Sequence, residues 1–320
     1  MTIYDAVYEH GKGNIQARII LDSIYSTKPG ICEDIMSMFR GEILNDPSIK
    51  RITTFELQYP RFIHSELMTH RVFSRNAASS RAIPYEKMLE QCNALPIDYG
   101  KNKSGMQSST DASIDASTVQ DIILTIREHV FEGTNKLSQL GCHKQLFNRY
   151  LEPFQMMKTI VTATEFENFF WLRDHEAADP AIHELARCMK ECFKRSIPQT
   201  LTKGQWHLPY IYTYHTPDNT VSYHINETGR VLTLTLEEAK IVSMARCAAV
   251  SYRNTDYTLS KSKTVFLRLI GDDRKHWSAM EHQASPITSD WQEGVTHKDR
   301  NDAQWSANFR GWIQLRQLLM

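Results

Sequence analysis

Residues 52–81 read ITTFELQYPRFIHSELMTHRVFSRNAASSR. Ile52 to Tyr59 are largely β-branched and aromatic and are closed by Pro60, which predicts a strand. Phe62, Ile63, Leu67 and Met68 then fall near helical spacing, so 61–73 is expected to be a helix and the Ser, Asn and Arg residues of 74–81 a polar loop. Outward from there, 17–25 (ARIILDSIY) reads as a second strand, and helices are expected near 118–138, 143–150, 152–172 and 179–195, the last opened by Asp179-Pro180 in cap and first-turn positions. The stretch 100–117 has little apolar content and reads as a mobile surface loop. Pro, His and Thr break the pattern over 197–219. Strand-like 220–235, helical 236–249 and 262–270, a polar loop at 287–307 and a short helix at 309–319 follow. The pattern predicts an α+β protein, a mixed sheet with packed helices and no internal repeat. It divides the chain into a core over 1–196, a boundary or insert over 197–243 and a C-terminal segment over 244–320.

The 320 residues carry 37 Lys and Arg against 37 Asp and Glu, with 41% hydrophobic residues and a pI near 7.2. Such a balance supplies no bulk attraction to nucleic acid or anionic membranes, so extended nucleic-acid binding is not expected. No run approaches the roughly 18 apolar residues of a membrane span, and the N-terminal MTIYDAVYEHGKGNIQ is too charged for a signal peptide, so a cytoplasmic location is expected. Six Cys, at 32, 92, 142, 188, 192 and 247, form neither a dense disulfide framework nor zinc hooks. Cys188 and Cys192 share a helical face and read as buried, reduced packing residues. In that compartment the Asn226-Glu-Thr228 sequon has no meaning.

Three clusters could carry chemistry. His70, Arg71, Ser74, Asn76, Ser79 and Arg81 suit a phosphate or ribose, because guanidinium offers planar paired donors and short hydroxyls and amides orient the rest. The competing reading is a solvated helix end with capping Ser and Asn. Asn168 and Arg173 interrupt an aromatic helix that follows Thr162 and Thr164, either as binding groups or as polar tips reaching solvent. His276-Trp-Ser278-Ala-Met-Glu281-His282 invites a metal, but the order is not H-E-x-x-H and no further ligands lie nearby, so no metal is expected. Gly11-Lys-Gly13 lacks the third glycine, with Gln16 in its place, so any flavin or nicotinamide site must be built without a Rossmann fingerprint. Cys142-His143 is a weak nucleophile candidate, since sequence neighbours on a helix face apart.

Together the clusters resemble the flavin-dependent thymidylate synthases. Thr69-His70-Arg71-x-x-Ser74-x-Asn76-x-x-Ser79-x-Arg81 is similar to that family's R-H-R, S, N, S, R signature everywhere but the first position. FELQYPRFI, Asn148-Arg149-x-x-x-Pro153 and Asn168 to Arg173 resemble further elements of the family. His276-x-Ser278-x-x-Glu281-His282 and the stretch from Ala245-Arg246-Cys247 to Ser251-Tyr252 resemble elements that precede the signature in the family but follow it here. A rearranged or extended, virus-like member is therefore expected, which would place it in a host cytoplasm if it is virus-encoded.

The resemblance implies a non-Rossmann flavin-binding fold that reductively methylates dUMP to dTMP with FAD, NADPH and 5,10-methylenetetrahydrofolate, in a homotetramer. It implies flavin contacts from His70, Arg71, Ser74, Asn76, Asn168, His276, Ser278 and Glu281. Nucleotide contacts fall to Ser79, Arg81, Arg149 and Arg173, with Glu66 in the same pocket. Arg173 and Ser79 stand nearest the chemistry, Ser79 in a positioning role. Departures are Thr69 for the first Arg, Glu66 for a usual Gln, Ala82 for a common Tyr, and Asp179-Pro180-Ala181 for a Gln-x-Glu pattern. They leave open methyl or hydroxymethyl transfer to dCMP, and a catalytically silent nucleotide- or RNA-binding relative. Glu66, one turn before His70, is expected to pair with Arg71 or Arg81.

Overall fold

The computed structural model describes residues 7–27, 48–102, 104–105, 114–216, 220–250, 257–271 and 275–320. Strands β1 (Tyr8–His10), β2 (Gln16–Ser26), β3 (Ile49–Pro60), β4 (Ser74–Ala77) and β5 (Met156–Ala163) form an antiparallel sheet in the order β1-β2-β3-β5-β4. A short β6 (Gln199–Thr200) adds parallel to β2. The class is α+β, as expected, and the sheet is not a doubly wound parallel one.

The sheet has two different faces. Phe55, Leu57 and Tyr59 of β3 and Val161 and Ala163 of β5 point one way and pack on Ile182, Leu185, Ala186 and Met189 of helix α6. Helices α1 (His64–Met68), α2 (Tyr85–Glu90), α3 (Ala116–Gln139), α4 (Lys144–Leu151), α5 (Glu167–Arg173) and α6 (Pro180–Arg195) complete this half. Asp179 caps α6 by accepting from the amides of Ala181 and Ile182, and Pro180 follows in the first turn, as the sequence predicted. Gly11 is fixed by contact with this helix: a Cβ there would lie 2.5 Å from Glu184 Oε1 and 2.7 Å from Cys188 Sγ. Its glycine serves close packing and not a dinucleotide turn.

The alternate residues of the same strands face the C-terminal part of the chain. A bulge between Ile19 and Leu21 re-aims β2, so that Ser23 and Tyr25 reach this face while Asp22 turns towards Arg51 and the backbone of α6. Ser23 Oγ meets His207 Nδ1 at 2.8 Å, His207 Nε2 meets Thr54 Oγ1 at 2.8 Å, Thr54 meets Thr162 at 2.8 Å, and Thr162 meets His282 Nδ1 at 2.9 Å. Gln199 donates to Ser23 at 3.0 Å. The arrangement that uses every hydroxyl proton runs one way, from Ser23 to His282, and makes both imidazoles neutral with the proton on Nε2. Burial pushes both histidines down to about 3, with His282 adding to the effect on His207. Beside this chain, Glu56 accepts from Lys158 at 3.0 Å and Tyr210 at 2.8 Å, and Trp312 packs edge-on against Tyr25.

The C-terminal part comprises a three-stranded sheet, β7 (Tyr212–His215), β8 (Val221–Glu227) and β9 (Arg230–Leu234), then α7 (Leu236–Ala249) and α8 (Leu259–Ile270). Short strands β10 (Ala284–Pro286), β11 (His297–Lys298), β12 (Gln304–Ser306), β13 (Phe309–Arg310) and β14 (Trp312–Gln314) and a last turn of helix, α9 (Arg316–Leu319), follow.

Four expectations are corrected. The helix over 61–73 ends at Met68, and 74–77 is the edge strand β4, recruited by pairing Ser74 with Thr162 and Asn76 with Ile160. The 152–172 helix is instead strand β5 followed by α5. With both faces covered, β5 (MMKTIVTA) is buried almost throughout and its sequence lacks the regular apolar/polar alternation that marks a strand. The 287–307 loop contains β11 and β12. The 309–319 helix is broken at Gly311, whose φ of +79° stops a helix, and Trp312–Gln314 pairs with Ala284–Pro286. The loop expected over 100–117 lies largely outside the described residues, as does the end of the Ala245–Tyr252 match.

Candidate active site

The signature begins where α1 stops. The amides of Thr69 and His70 bond back to the carbonyls of Glu66 and Leu67, and the turn delivers His70 into an aromatic pocket between Phe73 and Phe169, with ring centroids 5.7 and 4.9 Å away. Arg173, at the end of α5, crosses to this turn. Its Nε donates to His70 Nε2 at 3.1 Å, its Nη1 to Glu66 Oε2 at 2.9 Å, and its Nη2 to Thr69 Oγ1 at 3.3 Å. His70 therefore accepts at Nε2 and carries its proton on Nδ1. Burial, then the Arg173 and Arg75 cations, push it down to about 4, so it is neutral at pH 7. Glu66 pairs with Arg173, not with Arg71 or Arg81 as the sequence suggested, because α5 brings Arg173 against the same turn. Thr69, which replaces the signature's first arginine, serves as an acceptor for Arg173.

Arg75 completes this corner. Its Nη1 donates to the carbonyls of Met68 and His70 at 3.0 and 3.2 Å, and it sits within electrostatic reach of Glu281 and Tyr59. Sequence reading passed over Arg75, although it stands between two selected residues.

The displaced motif lies alongside. Trp277–Met280 form one 3-10 turn, with His276 and Ser278 exposed. Glu281 pairs with Arg316, and His282 is buried on Thr162. Thr162 is also the register partner of Ser74, so the signature strand and the motif's last histidine meet on one residue of β5. Ser74 is itself buried and receives hydrogen bonds from Asn308 Nδ2 at 3.0 Å and Gln314 Nε2 at 3.2 Å. No local pattern marked Asn308, Gln314 or Arg316.

Ser79 and Arg81 sit on the following loop, both exposed. That loop is pinned to α4 by Asn148 Nδ2, which donates to the carbonyls of Ser80 and Ile83 at 2.9 and 3.0 Å, and by Lys144 on the Ala82 carbonyl at 3.0 Å. Arg61, also missed, braces it from the 3-10 turn after β3 through Glu152, Gln155 and the Ala78 carbonyl. Arg149 extends from the same helix α4, and among the described residues none of Arg71, Arg81 and Arg149 has an ion-pair partner. Asn168 is exposed on α5 and Asn76 half-buried on β4.

Among the described residues four thiols are buried, and burial pushes Cys92 and Cys188 up to about 12 and Cys192 to about 11, the opposite of an activated nucleophile. Cys142 is half-buried. Among the described residues no three of His, Cys, Asp and Glu gather as a metal site, and no helix is long and apolar enough to cross a membrane.

The fold and this corner define an α+β protein with a cationic, histidine-containing corner assembled from non-Rossmann elements. The model of the thymidylate synthase complementing protein family matches residues 11–199, well over half of the chain, and the chain belongs to that family. The match takes in the signature and Arg173 and stops before the His276 to His282 motif. Among curated proteins none matches the chain.

Proposed function

We propose that this chain is a flavin-dependent thymidylate synthase that converts dUMP to dTMP with 5,10-methylenetetrahydrofolate and NADPH. The carrying observation is the Arg173 guanidinium, held by Glu66, His70 and Thr69 beside the family signature. Adding a carbon to C5 of uracil needs activation of a poorly nucleophilic ring, and among the described residues the four buried thiols are not suited to attack C6. FAD, when bound, would supply the redox chemistry, with NADPH as the source of reducing equivalents.

The residues present fit such a group. Arg71 and the half-buried Arg75 provide cations for a diphosphate. His70, Ser74, Asn76, Asn168, His276, Ser278 and Glu281 offer donors and acceptors for the ring system, with 244–320 supplying the second motif. In this reading Arg81 and Arg149 hold the nucleotide phosphate, supported by the Asn148 anchor that ties the Arg81 loop to α4, and Ser79 positions the substrate. Arg173 is a donor that its three partners fix in place, so it can stabilise negative charge on a uracil carbonyl without reorganising. Glu66 is engaged by Arg173, which favours uracil over a base presenting an amino group. Trp171, 75% exposed and two residues before Arg173, suits burial by a neighbouring copy in a cytoplasmic homotetramer.

The test is spectroscopic. Purified protein should take up FAD and lose its flavin absorbance when NADPH is added. A protein that binds no flavin refutes the reading.

A further inference from the structure

Resting on the flavin reading above, we infer that Gln314 is a positioning residue that sets the two halves of the flavin site in register, making the C-terminal strand part of that site. Gln314 lies on β14, outside the matched family region, and is 1% exposed. Its Nε2 stands 3.2 Å from Ser74 Oγ on the signature strand, 2.9 Å from Asn308 Oδ1 and 3.4 Å from the carbonyl of Glu281 in the displaced motif. One buried carboxamide thus touches both motifs.

Its surroundings leave it little freedom. The Gln314 amide donates to Ser306 Oγ at 3.0 Å, and β14 pairs with β10 immediately after His282 and Gln283. Asn308 spends both Nδ2 protons on this corner, one on the Val72 carbonyl at 3.0 Å and one on Ser74 Oγ at 3.0 Å. Ser74 Oγ thereby accepts from two amides, so the hydroxyl anchors β4 to the C-terminal strand. Two residues further on, Arg316 pairs with the Glu281 carboxylate. Glu281 is therefore held at its backbone by Gln314 and at its side chain by Arg316. Gln314 Nε2 has two protons to share among these three acceptors, and neither a carboxylate nor an alkyl group can supply either of them.

The experiment compares FAD affinity, by flavin fluorescence quenching, with melting temperature in the full chain and in Gln314→Leu, Gln314→Glu, Asn308→Ala and Trp312→Phe. Trp312 is buried on the same strand against Tyr25, and among the described residues its indole nitrogen has no partner, so Trp312→Phe reports packing alone. Gln314→Leu and Gln314→Glu should weaken FAD binding at least about tenfold, as expected for loss of buried hydrogen bonds that orient a site. Asn308→Ala, at a half-buried position, should do the same if either Gln314 variant fails to fold. Trp312→Phe should lower the melting temperature and keep FAD affinity. Unchanged affinity in the Gln314 and Asn308 variants overturns the inference and leaves the flavin reading standing, and equal loss in Trp312→Phe overturns it as mere structure. Absence of FAD binding by the unaltered chain refutes both.

Discussion

Acidification from pH 7 to 5 should destabilise this protein by about 4 kcal/mol through His207 and His282 alone. Both imidazoles are fully buried, neutral, and linked through Ser23, Thr54 and Thr162, and burial holds each at about 3. In the unfolded chain each binds its proton near pH 6.5. Between these values the unfolded state carries more protons, so stability is complete above about pH 7 and declines as pH falls through the window. Each histidine contributes a slope approaching 1.4 kcal/mol per pH unit once the unfolded imidazole is protonated, or about 2 kcal/mol between pH 7 and 5. His64 and His70, each pushed down to about 4, act in the same direction. Against a usual total of about 5–15 kcal/mol, the loss is large. Urea unfolding at pH 7, 6 and 5, followed by tryptophan fluorescence, measures it, with a His207→Gln, His282→Gln double variant showing a flatter dependence. Equal unfolding free energies at pH 7 and 5, or an unaltered slope in the double variant, would refute the reasoning.

Arg173→Ala should cost about 2 kcal/mol or more in dUMP binding or kcat/KM while FAD stays bound, because a charge-assisted contact is lost; isothermal titration and steady-state kinetics check it. Asp22→Ala should lower unfolding free energy by about 3 kcal/mol, since it strands the Arg51 guanidinium that now meets both Asp22 oxygens at 2.6 and 3.0 Å; denaturant titration at pH 7 gives the value.

The elements that could be read from sequence are those whose polar and apolar residues alternate or whose ends carry local punctuation. β3 alternates Thr54 and Glu56 with Phe55 and Leu57, and α6 begins at an Asp-Pro cap, so both stand where expected. β5 is covered on both faces and therefore looks like an apolar helix. The short strands near the C-terminus exist only through pairing with distant segments, which no local window contains. The candidate site divides in the same way. His70 to Arg81 were legible because they are contiguous, whereas Arg173 meets Glu66 across 107 residues and Gln314 meets Ser74 across 240. Glu66 was assigned the wrong arginine for that reason. His207 stood in a segment with no pattern, and its place in the buried chain follows only from how 197–211 crosses the sheet.

The most direct test of the function is tritium release from C5-labelled dUMP, run beside C5-labelled dCMP with the FAD-bound protein, NADPH and 5,10-methylenetetrahydrofolate. Arg173 can only donate, which matches uracil's carbonyls, and a site paired to one base leaves polar groups unmatched with the other. The account predicts folate-dependent release from dUMP, with dTMP as product and an efficiency at least about a hundredfold above that for dCMP. Comparable or faster release from dCMP, or none from dUMP with flavin fully bound, would contradict it.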